Sequence, residues 1–564
     1  MDLHEFARVG DIESVCNALS QGRSVDARDG HDWTPLAYAA TSSDTDVAMV
    51  RLLIEAGADV NATVDQAKKR PLGLAACSGS QEKVRLLAEA GANARFVSEN
   101  GYTVLINVVY ALCDDERLVP MIELLTELGA DPDSESRYGE SPLSVSSRLG
   151  RFDAVQALLT AGADPSPLGW TRLMKAVALG TMDEVEQHLF EDSPRVHDRD
   201  RWERTPWLLA CLVGDIEKAK RVLASGADLR DRERMGPDAL GICAERGNSE
   251  MLLWLLQVGA DADAADDVGS TALMLAAQAG NADCVRALLE GGANPKRKNN
   301  YGDSAMSMAS TKVAMRLLME AGERLAEIND ELKREVLGLD GGTQLKVTAT
   351  EYNAGCRPRY GRSNPEIMEV PFWHEMVRAG ISAYSARAQF GDEIHVSRLT
   401  WCYSRFGVSL TELPDGRFVQ IGGEHEDFYD PDFCIYNDVL VHEHGGRFQI
   451  MGYPKDVFPP SDFHTATYFG GAIYIVGGLG YQGSRRFGFT PIYRLDCHSW
   501  TIEELASTGD NPGWIYDHNA RLDEDGTLVI SDGKVCRQTI EGEDHVDNEV
   551  EFTLDLSGGT WTRA

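Results

Sequence analysis

Residues 271–294 read TALMLAAQAGNADCVRALLEGGAN, and this stretch decides the fold of the amino-terminal part of the chain. A threonine hydroxyl can cap the first turn of a helix, and the paired alanines Ala276-Ala277 let that helix approach a neighbour closely. The apolar residues of Val285-Arg286-Ala287-Leu288-Leu289 supply the buried stripe of a second helix. Gly292 then ends this second helix in a left-handed cap. The stretch therefore predicts a pair of short helices.

The same pattern recurs along the first 325 residues. The intervals from Asp238 to Thr271 and from Thr271 to Ser304 are both 33 residues. Variants of the helix-starting phrase begin at Thr34, Arg70, Thr103, Ser141, Thr171 and Thr205. The helix-ending phrase returns at Gly57, Gly91, Gly129, Gly162, Gly226 and Gly259. Two phrases with one period predict a stack of about nine or ten units.

This pattern and its period resemble the ankyrin repeat. The resemblance implies an α-solenoid over residues 1–325, with inner helices and hairpin tips exposed for binding another protein. The histidine that usually follows Thr-Pro-Leu is replaced, for example by Ala37 or Met274, so we expect fewer hydrogen bonds between neighbouring turns. The sixth repeat lacks its Gly-Ala-Asp phrase, and we expect a break or kink near residues 165–205.

Aromatic residues recur at or beside the predicted hairpin tips. They are Trp33, Tyr102, Tyr138, Trp170, Trp202 and Tyr301. Because Trp and Tyr often dominate the energy of protein interfaces, these residues are our candidates for binding a partner protein. The alternative is that they stack on one another and stiffen adjacent tips.

The pattern of apolar residues changes beyond Gly338, from helical to alternating. We predict a helical linker over residues 326–344 and a β domain over residues 345–564. Within this domain, three similar phrases begin at Gly416, Gly471 and Gly526, at intervals of 55 residues. Each phrase reads as a turn, a strand and a pair of glycines or its remnant.

An aromatic residue follows each of these phrases on a further predicted strand. These residues are Tyr436, Tyr493 and Phe552, and each is followed by Phe448, Trp500 or Trp561. This order resembles the kelch repeat, which implies an all-β propeller or partial propeller with three recognisable blades from about residue 400. His464 and His518 occupy matching places, so we expect them to form hydrogen bonds between blades.

Three blades do not close a ring, so residues 345–400 must supply a further blade or a different plug. The alternation in Leu345-Lys346-Val347-Thr348-Ala349-Thr350 predicts a strand, and Pro371–Arg378 predicts a helix.

The densest polar cluster follows the first pair of glycines. It contains Glu424, His425, Glu426, Asp430 and Asp432. Carboxylates with a histidine can bind a divalent cation, and a polar channel mouth can bind a small ligand. The alternative is a charge-paired rim, because adding the 55-residue period to Asp430 gives Arg485, which is followed by Arg486. The kelch resemblance also implies a candidate iron site, because Glu426, Asp430 and Cys434 have the spacing at which some kelch proteins hold iron. The third position is Cys here, where His is expected. We favour the rim and predict no resident metal or cofactor.

Composition excludes several classes of partner. The chain has 89 acidic and 54 basic residues, for a net charge of −35, which repels nucleic-acid phosphates and anionic lipids. We therefore predict no nucleic-acid partner and no membrane partner. The 11 cysteines are scattered without a CxxC pair, which indicates buried, reduced thiols and a cytoplasmic location.

The leading functional hypothesis is a non-catalytic intracellular scaffold that binds a partner protein. One alternative is an acidic inhibitor or immunity-type protein that neutralises a basic protein. The other is a metal-dependent or small-molecule enzyme in residues 400–564, although common phosphate-binding, dinucleotide, zinc-protease and nucleophile-elbow motifs are absent from the sequence.

Overall fold

The computed structural model describes residues 2–564 except for 43–45, 66–67, 114, 191–194, 235, 340, 343, 392–398, 426–432, 524 and 541. The chain forms two compact units, Met1–Asp267 and Val268–Ala564. Residues 268–330 therefore lie in the same unit as the β sheets.

The first unit consists of short helices arranged in successive pairs. Its helices are α1 Leu3–Val9, α2 Ile12–Ser20, α3 Pro35–Thr41, α4 Val47–Glu55, α5 Pro71–Cys77, α6 Gln81–Glu89, α7 Val104–Ala111, α8 Leu118–Glu127, α9 Pro142–Arg148, α10 Phe152–Thr160, α11 Arg172–Leu179, α12 Met182–Leu189, α13 Pro206–Val213, α14 Ile216–Ala224, α15 Ala239–Arg246 and α16 Ser249–Gln257. The predicted helical repeats are confirmed here.

The local signals in the sequence explain where these helices begin and end. The hydroxyl of Thr34 accepts a hydrogen bond from the backbone N–H of Ala37, and equivalent caps are formed by Thr103, Ser141, Thr171 and Thr205. Where a glycine follows one of these second helices, it has a positive φ, for example 90° at Gly57. A side chain at this position would be strained, which explains the recurring glycine.

Neighbouring turns are linked by hydrogen bonds from residues other than histidine. Nη1 of Arg28 donates to the carbonyl of Thr63 in the next turn at 3.0 Å, and Nη1 of Arg199 donates in the same way to Arg232 at 3.1 Å. The expectation of fewer hydrogen bonds did not take these arginines into account.

Basic side chains also join some of the second helices to the preceding repeat. Nζ of Lys83 donates to the carbonyls of Ala39 and Ser42 at 2.9 and 2.6 Å, at the end of α3. Lys218 makes the equivalent contacts with Val177 and Gly180 at the end of α11. The last carbonyls of a helix have no partner within that helix and carry a partial negative charge, so a buried cation satisfies them well.

A buried ion pair lies within the region where we expected a break. Nη2 of Arg204 lies 2.7 Å from Oδ2 of Asp200, and the two side chains are 1% and 0% exposed. Arg204 also donates to the backbone carbonyl and the hydroxyl of Ser147 in α9, at 2.8 and 2.9 Å. These polar groups thus join α9 to the segment just before α13. A continuous apolar core extends from Leu3 to Leu168.

The second unit begins with further repeat helices and continues into a β-rich region. Its helices are α17 Ala272–Ala279, α18 Ala282–Glu290, α19 Ala305–Met308, α20 Lys312–Glu320, α21 Asp330–Leu337, α22 Ala349–Gly355, α23 Pro371–Ala379 and α24 Ala383–Phe390. Its strands are β1 Glu366–Ile367, β2 Ser409–Glu412, β3 Phe418–Ile421, β4 Glu424–His425, β5 Cys434–Ile435, β6 Val439–His442, β7 Phe448–Gly452, β8 Thr465–Phe469, β9 Ala472–Val476, β10 Ile492–Asp496, β11 Ile502–Glu504, β12 Thr508–Gly509, β13 Trp514–Tyr516, β14 Asn519–Leu522, β15 Thr527–Ser531, β16 Lys534–Thr539, β17 Gly542–Asp547, β18 Phe552–Asp555 and β19 Thr560–Arg563.

Three similar antiparallel sheets form the centre of the β-rich region. We call them sheet A (β2-β3-β6-β7), sheet B (β8-β9-β10-β11) and sheet C (β14-β15-β18-β19). The three predicted strands before the glycine pairs are β3, β9 and β15, and each occupies the same place in its sheet. β1 extends sheet A beyond β7, and β12 pairs in parallel with β19 at the edge of sheet C.

Two histidines connect the three sheets. Oγ of Ser409 in sheet A lies 2.9 Å from Nε2 of His464, which directly precedes sheet B. Oγ1 of Thr465 in sheet B lies 2.9 Å from Nε2 of His518, which precedes sheet C. The predicted hydrogen-bonding role of the two histidines between successive β units is confirmed.

Ion pairs connect the last repeat helices to the sheets of the second unit. Arg316 lies 3.4 Å from Glu412 in sheet A, measured from Nη2 to Oε1. Arg324 lies 3.3 Å from Asp517, which lies in the short connection between β13 and sheet C. The helical and β parts of this unit are therefore in direct contact.

The segment between α21 and sheet A is mainly helical. The predicted helix at Pro371–Arg378 is confirmed as α23, but the predicted strand at Leu345–Thr350 is wrong. The hydroxyl of Thr348 instead caps α22, and Glu351 completes the cap by accepting a hydrogen bond from the Thr348 backbone. In the described residues 344–391, the only strand is β1, so this segment does not supply a fourth sheet.

Eight of the 11 cysteines are buried, which confirms the predicted burial for most of these thiols. Within the part of the chain that the structure describes, every helix is too short or too polar to span a lipid bilayer.

Candidate protein-binding surface and the acidic loop

The six predicted tip aromatics differ strongly in exposure. Tyr138 and Tyr301 are 71% and 78% exposed. The other four, Trp33, Tyr102, Trp170 and Trp202, are half-buried and pack against the apolar core. Binding of a partner by any of the six stays a prediction, but Tyr138 and Tyr301 offer the most accessible surface.

The half-buried tryptophans contact residues of the array itself. Trp33 lies 5.0 Å from Tyr38 between ring centroids, and Trp170 lies 6.1 Å from Phe152. The guanidinium of Arg204 lies over Trp202, 4.6 Å from the ring centroid. These contacts hold the three tryptophans against the array, but their partners are not other tip aromatics.

Tyr138 belongs to a larger group of aromatic and charged residues, which we call the tyrosine cluster. It consists of Tyr102, Tyr110, Tyr138, Glu140 and Arg148. The rings of Tyr102 and Tyr138 are 6.3 Å apart. The hydroxyls of Tyr102 and Tyr110 donate to the Glu140 carboxylate at 2.8 and 2.6 Å, and Arg148 donates to the Tyr110 hydroxyl at 2.6 Å.

Hydrogen bonds fix the charge of the tyrosine cluster. Burial alone would raise the pKa of Glu140, but hydrogen bonds from Tyr110 and Tyr102 hold this pKa below its ordinary value. Burial and the contact with Glu140 raise the pKa of Tyr110 to about 12. Glu140 is therefore ionised, and Tyr102 and Tyr110 are neutral, at neutral pH. The cluster presents ordered aromatic rings beside a fixed ion pair.

Sequence reasoning did not identify Tyr110, Glu140 or Arg148. Tyr110 lies near the end of α7, just before the connection to α8 that makes this repeat longer in the sequence. Tyr110 and Arg148 lie near the ends of α7 and α9, the first helices of successive repeats, so the repeat alignment could have placed them side by side.

Tyr301 lies in a tight turn of the second unit. Oδ1 of Asn299 accepts hydrogen bonds from the backbone N–H groups of Tyr301 and Asp303, both at 2.9 Å. This asparagine fixes the turn, so the ring of Tyr301 is displayed on an ordered backbone.

We call the predicted polar cluster at residues 424–432 the acidic loop, and its described part is buried. Glu424 and His425 form β4, which pairs with β5, and each residue is 8% exposed. The Glu424 carboxyl makes a hydrogen bond with Asp462, whose pKa is raised by burial. Glu426, Asp430 and Asp432 lie outside the described residues. The two described members thus belong to the interior.

Arg485 and Arg486 both form ion pairs with glutamates of neighbouring strands. Arg485 pairs with Glu543 of β17, and Arg486 pairs with Glu504 of β11. The described carboxylate partner of Arg485 is therefore Glu543, rather than the Asp430 suggested by the 55-residue period. The period identified an equivalent position in the next β unit. It could not show that β17 would contact Arg485.

Three segments of the chain match the ankyrin-repeat family, at residues 3–98, 173–266 and 240–330. The amino-terminal 330 residues contain ankyrin repeats. The ankyrin assignment made from the sequence is thus confirmed for this part of the chain.

Curated relatives are similar to parts of the chain. The chain is 33% identical over 155 residues to ankyrin repeat, SAM and basic leucine zipper domain-containing protein 1 of Dasypus novemcinctus, covering 28% of this chain and 25% of that protein. It is 24% identical over 201 residues to YahD of Escherichia coli (strain K12), which is named for ankyrin repeats, covering 34% of this chain and 97% of YahD. The chain thus spans about a quarter of the first relative and nearly all of the second.

Proposed function

We propose that this chain is a non-catalytic scaffold whose ankyrin repeats bind a partner protein through the tyrosine cluster. The observation that carries this proposal is an exposed, ordered tyrosine on an ankyrin array, Tyr138. Ankyrin repeats generally serve as protein-binding modules, and their extended surfaces suit this role. Tyr and Arg are also the residue types that most often supply the main binding energy of an interface.

The geometry of the tyrosine cluster supports this choice among the tips. Tyr102 and Tyr110 are held by Glu140, so little side-chain entropy would be lost when a partner binds. Arg201 donates from Nη2 to the carbonyl of Gly139 at 2.8 Å, which fixes the backbone next to Tyr138. An exposed aromatic ring on a fixed backbone can enter a pocket of a partner at low cost.

For the β-rich region, we propose a kelch-like partial propeller in which sheets A, B and C are successive blades. The proposal is supported by the shared strand order of the three sheets and by the two equivalent histidine contacts. In this arrangement the region supports the last ankyrin repeats, since Arg316 and Arg324 form ion pairs with it.

The test is affinity purification of the full-length chain from its own cells, followed by quantitative mass spectrometry. The variants are Tyr138→Ala and Tyr301→Ala, which remove exposed rings. Phe190→Ala is the matched control, because Phe190 is 85% exposed but lies at the end of α12. Each protein is first compared with the wild type by circular dichroism.

A protein retained by the wild type and by Phe190→Ala but lost from Tyr138→Ala would support the proposal. A protein retained equally by all variants would contradict binding through the tyrosine cluster. Recovery of no protein at all would contradict the scaffold function. Retention that is lost in moderate salt but is unaffected by Tyr138→Ala would favour the acidic-inhibitor alternative.

A further inference from the structure

The segment that follows β15 carries a cluster of potential metal ligands. The equivalent segment of sheet A contains the acidic loop, and that of sheet B contains Arg485. In sheet C, the segment forms the hairpin β16–β17, which pairs with β13 as a separate three-stranded sheet. Cys536, Glu543 and His545 lie on this hairpin, and one ligand atom from each lies within 4.8 Å of the other two.

Strand register places the three side chains on one face of the hairpin. Cys536 is directly opposite His545 in the β16–β17 ladder. Glu543 is two residues before His545, and side chains two residues apart in a strand point to the same face. Sγ of Cys536 lies 3.9 Å from Nε2 of His545, a separation that two ligands of one tetrahedral zinc ion can adopt.

A neighbouring tyrosine orients the histidine. The hydroxyl of Tyr516 in β13 lies 3.0 Å from Nδ1 of His545. A proton on Nδ1 can be donated to this hydroxyl, which leaves the lone pair of Nε2 directed toward Cys536. A hydrogen bond to the ring nitrogen that does not bind the metal is a usual feature of histidine ligands.

We propose that Cys536, Glu543 and His545 form a binding site for Zn²⁺, with solvent as the fourth ligand. A thiolate, an imidazole and a carboxylate favour zinc over magnesium or calcium, which prefer oxygen ligands alone. The thiol of Cys536 loses its proton to solvent when the metal binds. This site is independent of the proposed protein-binding function.

Arg485 would compete with the metal for one of its ligands. Its guanidinium pairs with Glu543, and Nη1 lies 3.8 Å from Sγ of Cys536. A metal ion held by Cys536 and Glu543 would repel the neighbouring guanidinium, so zinc binding displaces Arg485 from the carboxylate. Removing the guanidinium is therefore expected to increase zinc affinity.

The test uses the full chain without a polyhistidine tag, dialysed against a chelator and titrated with Co²⁺ and then Zn²⁺. We expect one equivalent of Co²⁺ to bind with a thiolate-to-cobalt absorption band, and Zn²⁺ to displace it. The double variant Cys536→Ser/His545→Gln should lose the band. The matched control Cys497→Ser/His498→Gln, which changes a Cys and a His outside the cluster, should retain it.

Two further variants keep the proposal testable if the double variant fails to fold. Tyr516→Phe should weaken Zn²⁺ binding about 10-fold, because it removes the group that orients His545. Arg485→Gln should bind Zn²⁺ more tightly than the wild type. Absence of the thiolate band in the wild type, or equal binding by the wild type and the double variant, would overturn the proposal. Weaker binding by Arg485→Gln would overturn the displacement of Arg485.

Discussion

Each of the two units contains a buried arginine–aspartate pair among its described residues, but the ankyrin repeats and the three sheets are joined in different ways. Arg204 pairs with Asp200 and ties the segment before α13 to Ser147 of α9, and Arg405–Asp438 holds the segment before β2 against sheet A. Elsewhere in the ankyrin repeats, buried lysines such as Lys83 contact the ends of neighbouring helices. The three sheets are instead joined by neutral contacts between histidines and hydroxyls, as at His464.

Backbone hydrogen bonding explains this difference. The last four carbonyls of a helix have no partner within the helix, so a cation from the next repeat can satisfy them. Strands satisfy most of their carbonyls within the sheet, and a neutral hydrogen bond is sufficient between one sheet and the next. The type of secondary structure in a repeat thus determines the chemistry of its contacts with its neighbours.

The largest expected effects come from breaking the two buried ion pairs. Arg204→Met and Arg405→Met each leave a buried carboxylate without its cation, which should cost about 3–5 kcal/mol of unfolding free energy. Urea denaturation measures the loss, and hydrogen–deuterium exchange locates it. We expect faster exchange in α9 and α13 for Arg204→Met, and in sheet A for Arg405→Met.

The double variant Arg405→Met/Asp438→Asn is the control for this interpretation, because it also removes the buried negative charge. It should recover part of the stability lost in Arg405→Met. No recovery would contradict an electrostatic origin of the loss.

A smaller effect is expected from the buried lysines of the ankyrin repeats. Lys83→Met preserves much of the side-chain volume but leaves the carbonyls of Ala39 and Ser42 without their donor, at a cost of about 1–3 kcal/mol. Urea denaturation of Lys220→Met provides the control, because Lys220 is exposed and pairs with Glu217. Equal stability of the two variants would contradict the role of Lys83.

The contacts between sheets should make the β-rich region sensitive to acid. Burial lowers the pKa of His464 to about 4 and that of His518 to about 3, from an ordinary value of 6.5. The stabilisation is complete above pH 6.5 and is lost as the pH falls toward 4, because the unfolded state binds more protons. Between pH 7 and 5 each histidine should contribute a loss of about 1–2 kcal/mol.

Denaturation at several pH values measures this slope. His464→Gln should reduce it, whereas His498→Gln, which changes an exposed histidine in a turn, should leave it unchanged. An unchanged slope in His464→Gln would contradict the assigned pKa shift.

The smallest predicted effect concerns a single helix cap. Thr271→Ala removes the hydroxyl that accepts a hydrogen bond from Met274, and we expect a loss of about 1 kcal/mol in urea denaturation. Thr271→Ser keeps the hydroxyl and should differ little from the wild type. Similar losses in both variants would show that the methyl group, rather than the cap, is responsible.

Much of the fold could be predicted because its signals are local. A cap such as Thr34, a helix and a final glycine such as Gly57 lie within one repeat, and so do a strand and its glycine pair in the β region. The error at Leu345–Thr350 has a local cause as well, because its alternating residues resembled a strand while Thr348 and Glu351 formed a helix cap.

The candidate sites were harder to predict because they depend on contacts between repeats. Tyr138 was identified as a tip residue, but the cluster around it depends on contacts of Tyr110 with Glu140 and Arg148, which lie 30 and 38 residues away in the sequence. Arg485 was assigned a partner from the 55-residue period, whereas its contact with Glu543 depends on the hairpin β16–β17 of the third β unit. Periodicity predicts what repeats share and cannot predict what an insertion adds.

The most direct test of the scaffold function is the affinity of the full chain for the purified partner recovered with it. Titration calorimetry on the wild type, Tyr138→Ala and Phe190→Ala would compare an exposed ring in the tyrosine cluster with an exposed ring elsewhere. We predict binding about tenfold weaker or more for Tyr138→Ala and unchanged for Phe190→Ala. Equal affinity of all three proteins would contradict binding through the tyrosine cluster.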